Sequence, residues 1–219
     1  MKKTLTENDI ITEVGSICAC NSTHAFSQMI NRTLRLESPA LQVIKFKDVE
    51  SILQSKDNIV IGVHCQILAG ILGQVSLLFK EKSAFEFVSI FASKEKQSAG
   101  FLTQLGVSTI KEVGNVVISA YSGAMSLLLD VPVIPSIPVL TSGPLKEVIK
   151  FGMMNLNEED KVFVHTMTFL DEQRKINGSF YLVLEPETVK KIVVMMRKQL
   201  ANLNNLDKEK LGAKKYESS

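Results

Sequence analysis

Cysteine is scarce in this sequence. Only three occur, at positions 18, 20 and 65. An odd and small number cannot close a disulfide framework, and the Cys18-x-Cys20 pair has no companions at zinc-ligand spacing. A reducing cytoplasm is therefore the expected home, with no metal held by this chain. An excess of one charge is lacking too: 25 Lys plus Arg stand against 23 Asp plus Glu, a formal net charge of +2. With no long basic run before the last few residues, electrostatic nucleic-acid binding is not expected. A Gly-rich phosphate loop is missing, because Gly100 and Gly106 lack the required spacing and a following lysine. The opening MKKTLTENDII turns acidic before any apolar stretch develops, so a signal peptide is not supported.

One uncharged stretch, between Glu112 and Asp130, has the length of a membrane span. It contains Gly114, Asn115, Ser119, Ser122, Gly123 and Ser126 and runs into the proline-rich VPVIPSIPVL. We therefore expect a half-buried helix of a soluble domain and no membrane partner. What the chain does have is an ordinary globular composition, 45% hydrophobic, 22% charged and 6% aromatic over 219 residues. That is enough to bury a core as one domain or two small ones.

The organisation is an internal repeat. Sliding the sequence by 99 positions aligns Ile11–Leu41 with Ile110–Leu140 without a gap, and eight of the 31 pairs are identical, including Glu13/Glu112, Val14/Val113, Gly15/Gly114 and Pro39/Pro138. Each half reads as a long helix, an extended Pro-bearing segment, a short helix, a β-hairpin and a closing helix. In the first half these fall at about 9–30, 33–46, 47–55, 58–79 and 83–92. In the second they fall at about 106–129, 131–141, 144–153, 160–185 and 187–204. A unit this large, present twice, is not a solenoid. The expected fold is α/β (α+β): two pseudo-twofold halves, 7–93 and 102–204, sharing a continuous β-sheet with paired long helices on one side. Residues 94–101 read as a polar linker, and 205–219 as a charged, frayed tail. Duplication meets the half-to-half contact within one chain, so a monomer is expected.

Helical spacing puts Ser108, Glu112, Asn115, Ser119, Ser122 and Ser126 on one stripe, opposite an apolar stripe of Ile110, Val113, Val117, Tyr121, Ala124 and Leu128. The first half repeats the polar stripe with Asp9, Glu13, Ser16, Cys20, Thr23 and Ser27. The expected polar face is solvent-exposed and built of small residues where surface helices usually carry Lys and Glu. Glu112 and Asn115 are not a self-sufficient active site, since neither is an activated nucleophile and no His, Cys or metal cluster lies near them in sequence. They can act on chemistry brought by another molecule: a carboxylate binds a cation, and an amide holds a water through both a donor and an acceptor. His64 and His165 fall at matching strand positions of the two halves and read as structural rather than metal-binding. Cys18, Cys20 and Cys65 read as buried thiols or small helix-face residues, and Val193 to Met196 as the core face of the last helix.

The pattern Asp/Ser-x3-Glu-x2-Asn-x22-Pro resembles the signature of the CheC/CheX/FliY family of chemotaxis phosphatases. Ser108, Glu112, Asn115 and Pro138 match every position of it, while Asp9, Glu13 and Pro39 match in the first half with Ser16 in place of Asn. The resemblance spans about residues 7–204 and is greatest to CheC. It implies hydrolysis of the aspartyl-phosphate of a CheY-type response regulator, which supplies its own acidic pocket, Mg²⁺ and a lysine. By that resemblance Glu112 docks to the lysine and Asn115 orients the attacking water, and no cofactor is bound by this chain. It also allows a weakly catalytic module that sequesters phospho-CheY or regulates a CheD-like deamidase. The flagellar-switch protein FliM shares the fold but lacks the Glu-x2-Asn pair. Because a serine hydroxyl is shorter than a carboxamide, the first helix is expected to catalyse poorly.

Overall fold

The computed structural model describes residues 5–37, 39–48, 59–91, 104–152, 157, 159–171 and 176–216. The expected linker 94–101, nearly all of the expected short helix 47–55, and the last residues of the tail lie outside them.

The chain opens with helix α1 (Glu7–Ile30), started by a reciprocal cap in which the Thr6 hydroxyl accepts from the Asp9 N–H and the Asp9 carboxylate accepts from the Thr6 N–H. It ends at Asn31, held in the left-handed region at φ 51°. Asparagine tolerates that conformation because its side chain bonds locally. Strands β1 (Leu34–Leu36) and β2 (Ala40–Lys45) follow, then the hairpin β3 (Ile59–Ala69) and β4 (Gly73–Lys80), and helix α2 (Glu81–Phe91). The second half repeats the order: α3 (Gln104–Leu129), β5 (Ile134–Pro135), β6 (Val139–Pro144), α4 (Leu145–Gly152), β7 (Lys161–Asp171), β8 (Asn177–Leu184) and α5 (Pro186–Tyr216). Helix α3 also ends on a left-handed residue, Asp130 at φ 55°, which is Asn31 shifted by 99. The last helix runs on to Tyr216, through most of the segment read from sequence as a frayed tail.

Among the described residues all strand pairs are antiparallel and form one eight-stranded sheet, with β1 and β2 on β7, then β8, β4 and β3, and finally β5 and β6. The central pair β4–β8 joins the halves, and the two outer pairs exchange partners. β2 of the first half lies on β7 of the second, while β6 of the second lies on β3 of the first. That exchange is the architecture of a pseudo-twofold duplication sharing one continuous sheet.

Alternation sorts side chains to two faces. Ile61, Val63, Cys65 and Ile67 of β3 join the main core beneath α1 and α3, together with Val75, Leu77 and Phe79 of β4. Val60 and Leu78 join a smaller core with Val148 and Ile149 of α4 on the opposite face. In the main core Phe26, Phe79, Phe87 and Phe169 pack with ring centroids 5.4–6.0 Å apart, mostly edge to face. At one corner the Arg32 guanidinium meets the buried Asp171 carboxylate at 3.0 Å, tying the end of α1 to β7.

The two histidines are not equivalent. Leu41 pairs with His165 and its repeat mate Leu140 pairs with Val63, so His165 corresponds to Val63, and His64 to Thr166. They consequently point to opposite faces of the sheet. His64 lies on the α4 face, with Nδ1 2.8 Å from the Ser76 hydroxyl and Nε2 2.8 Å from that of Thr141. His165 is buried under α1, and its Nε2 has no hydrogen-bond partner among the described residues. Burial pushes both imidazoles down to about 4.

Candidate functional site on the paired long helices

Both long helices rest on the sheet through a glycine. A Cβ at Gly114 would lie 2.5 Å from Cγ1 of Val63, and one at Gly15 would lie 2.6 Å from Nδ1 of His165. Only glycine permits so close an approach. With Gly114 pressed onto β3, the 100° step of the helix turns its neighbour Asn115 and, two residues earlier, Glu112 away from the sheet. Both are exposed, as are Ser108 and Lys111. Asn115 and Glu112 make no side-chain hydrogen bond or ion pair with another described residue.

The first half presents the same frame with different ends. Asp9 and Glu13 are exposed, and Asp9 is engaged with Thr6. Ser16 is half-buried, and its hydroxyl donates to the Thr12 carbonyl at 2.6 Å, one turn back along the same helix. Its hydroxyl hydrogen is thus spent on the helix backbone. The two motif prolines also differ, Pro39 being exposed and Pro138 half-buried.

The polar stripe expected to face solvent does so only along its first half. Ser108, Glu112, Asn115 and Ser119 are exposed, but Ser122 is buried at 1% exposure and Ser126 is half-buried. Thr23 and Ser27 repeat this on α1. Ser126 is occupied with local structure: its hydroxyl donates to the Ser122 carbonyl and accepts from the Val133 N–H. Ser27, similarly, donates to the Arg32 carbonyl. These serines therefore shape the turns that follow the helices. Helical spacing alone does not report that neighbouring elements cover the far end of each helix.

Of the other residues singled out, Cys18 and Cys65 are buried, their thiols pushed up to about 12 and about 11 by desolvation, while Cys20 is exposed on α1. Val193 is core and Met195 and Met196 pack against it, but Val194, read as core, is 67% exposed. Among the described residues no group of three His, Cys, Asp or Glu side chains is gathered for a metal. Helix α3 has the length and hydropathy of a membrane span, yet half of that window is buried within the fold. Sequence reasoning passed over Lys111, which stands four residues before Asn115 and therefore on the same face; that spacing was its available signal.

The fold defines a class of architecture: duplicated α/β domains whose two halves share one antiparallel sheet, here with an outward Glu-x2-Asn pair on α3. No family model matches the chain. It is 22% identical over 193 residues to the CheY-P phosphatase CheC of Bacillus subtilis, covering 86% of this chain and 92% of that protein. Among solved structures it superposes on FliY of Thermotoga maritima with a TM-score of 0.70 and 21% identity, covering 90% of this chain and 99% of that one. The FliM middle domain of Vibrio alginolyticus shares the fold at a TM-score of 0.59 and 15% identity, over 85% and 99% of the two chains. In sequence and in fold the chain is thus similar to proteins of the CheC/CheX/FliY family.

Proposed function

We propose that this protein hydrolyses the aspartyl-phosphate of a CheY-type response regulator in chemotaxis signalling, with the reaction completed at α3. In this reading Asn115 enters the regulator's phosphorylation pocket and fixes a water through its amide oxygen and N–H. Glu112 docks to the regulator's lysine. The water oxygen forms a bond to phosphorus while the bond from phosphorus to the aspartyl oxygen breaks, giving inorganic phosphate and a free carboxylate. Such transfers ask little covalent help of a catalyst and much positioning. Fixing one water contributes on the order of 10² to 10³ in rate, by comparison with other single positioned polar groups.

The observation that carries the reading is the exposure of Glu112 and Asn115 side by side on a helix seated by Gly114. The kinship with a CheY-P phosphatase supports it. The first helix, with Ser16 bonded to its own backbone, would contribute little chemistry. Phosphate release from a phosphorylated CheY-type regulator, compared for the wild type and a Glu112, Asn115 double variant, tests this directly.

A second reading is favoured by the fold shared with the FliM middle domain. Here the helices bind phospho-CheY without turning it over, or engage a CheD-like deamidase. It predicts that excess protein slows, rather than accelerates, loss of the phosphoryl group. In either case we propose a cytoplasmic monomer, since β2 and β6 already exchange between the halves. Light scattering at twice the chain mass would contradict that state.

A further inference from the structure

We propose that Lys111 is a third contact residue of the α3 site, and that it directs a phosphorylated partner to this site rather than to its pseudo-equivalent on α1. The inference rests on the phosphatase reading and deepens it. Lys111 is exposed, adjoins Glu112 and stands one turn before Asn115 on the same face. No described side chain pairs with it. At the corresponding position of the first half is Thr12, half-buried and uncharged.

The consequence is electrostatic. The outward set on α3, Ser108, Lys111, Glu112 and Asn115, carries one positive and one negative charge. The matching set on α1, Asp9, Thr12, Glu13 and Ser16, carries two negative charges and no positive one. A phosphorylated aspartate brings a group of charge about −2, held on a protein surface that is itself acidic in this reading. The α1 set repels such a surface, whereas on α3 the ammonium offsets Glu112 and lies within reach of the phosphoryl oxygens or the carboxylates around them. Lysine suits this task as a flexible point charge. Charges at the edge of a contact mainly govern encounter and its salt dependence. Lys111 is accordingly a positioning residue, distinct from the group that holds the water.

The test is steady-state phosphate release from a phosphorylated CheY-type regulator at several ionic strengths. Lys111→Gln should raise KM roughly three- to tenfold, leave kcat within about twofold, and flatten the salt dependence. Lys111→Glu should raise KM further, and Lys111→Arg should remain near wild type. Thermal unfolding should be unchanged in all three, because the side chain is exposed. A Gln variant with wild-type KM and salt dependence overturns the inference, and so does a fall in kcat at unchanged KM. Asn115→Ala run alongside separates the two failures. If it loses activity while Lys111→Gln does not change KM, the phosphatase reading stands and the role of Lys111 falls. If Asn115→Ala is as active as wild type, the site assignment falls and the role of Lys111 with it.

Discussion

Gly114 sits so close over Val63 that a single added methyl group would lie 2.5 Å from Cγ1 of the valine. Its repeat mate Gly15 stands over His165 in the same way. The contact fixes the height and rotation of α3 on the sheet, and hence the outward direction of Glu112 and Asn115. The site is therefore positioned from its buried side.

Gly114→Ala should destabilise the fold by about 1–3 kcal/mol through overpacking against β3. Gly123, on the same helix, has nothing within 4 Å of an added Cβ. Gly123→Ala should therefore be neutral or stabilising by up to about 1 kcal/mol, since alanine favours helix and narrows the unfolded ensemble. Denaturant unfolding of the two variants checks the contrast.

Ser16→Asn places a carboxamide where the family signature has one. In an Asn115→Ala background it should restore part of the phosphate release, and adding Thr12→Lys should lower KM for the restored site. Ser16→Ala in the wild-type background should change turnover by less than about twofold, since the hydroxyl is engaged with the Thr12 carbonyl. Phosphate-release assays on the four variants measure this.

The buried imidazoles make stability depend on pH. Both are held neutral, with values near 4 against an ordinary 6.5, so the unfolded chain binds protons that the folded chain refuses. Their stabilisation is complete above about pH 6.5 and is lost as pH falls toward 4. At pH 5 each costs about 2 kcal/mol relative to pH 7. Urea unfolding at pH 7 and pH 5 should show the loss, and His165→Gln should reduce the difference between the two.

The repeat made most of this fold legible. One 99-residue offset located both long helices and both Pro-bearing extended segments, and the apolar periodicity of each half independently supported the same order of elements through the two hairpins. It misled at His64 and His165, because the second half carries three more residues between its extended segment and its hairpin: Leu41 to Val63 spans 22 positions, Leu140 to His165 spans 25. In a strand a shift of one residue exchanges faces. Helical spacing likewise placed Ser122 beside Asn115 but could not report that the far end of α3 is covered. Glu112 and Asn115 were singled out because helical spacing put them on one outward turn and the signature resemblance marked the same two positions, and both are exposed there. Lys111 was missed because an exposed lysine carries no pattern of its own until its empty counterpart, Thr12, is compared.

The central claim is that an outward amide on α3 completes a phosphorylation pocket belonging to another protein. Its most direct test is the rate of phosphate release from a phosphorylated CheY-type regulator with wild-type protein and with Asn115→Ala. The account predicts a fall of about 10²-fold or more, toward the regulator's unaided rate, with unfolding stability unchanged. An Asn115→Ala protein that releases phosphate as fast as wild type would contradict it.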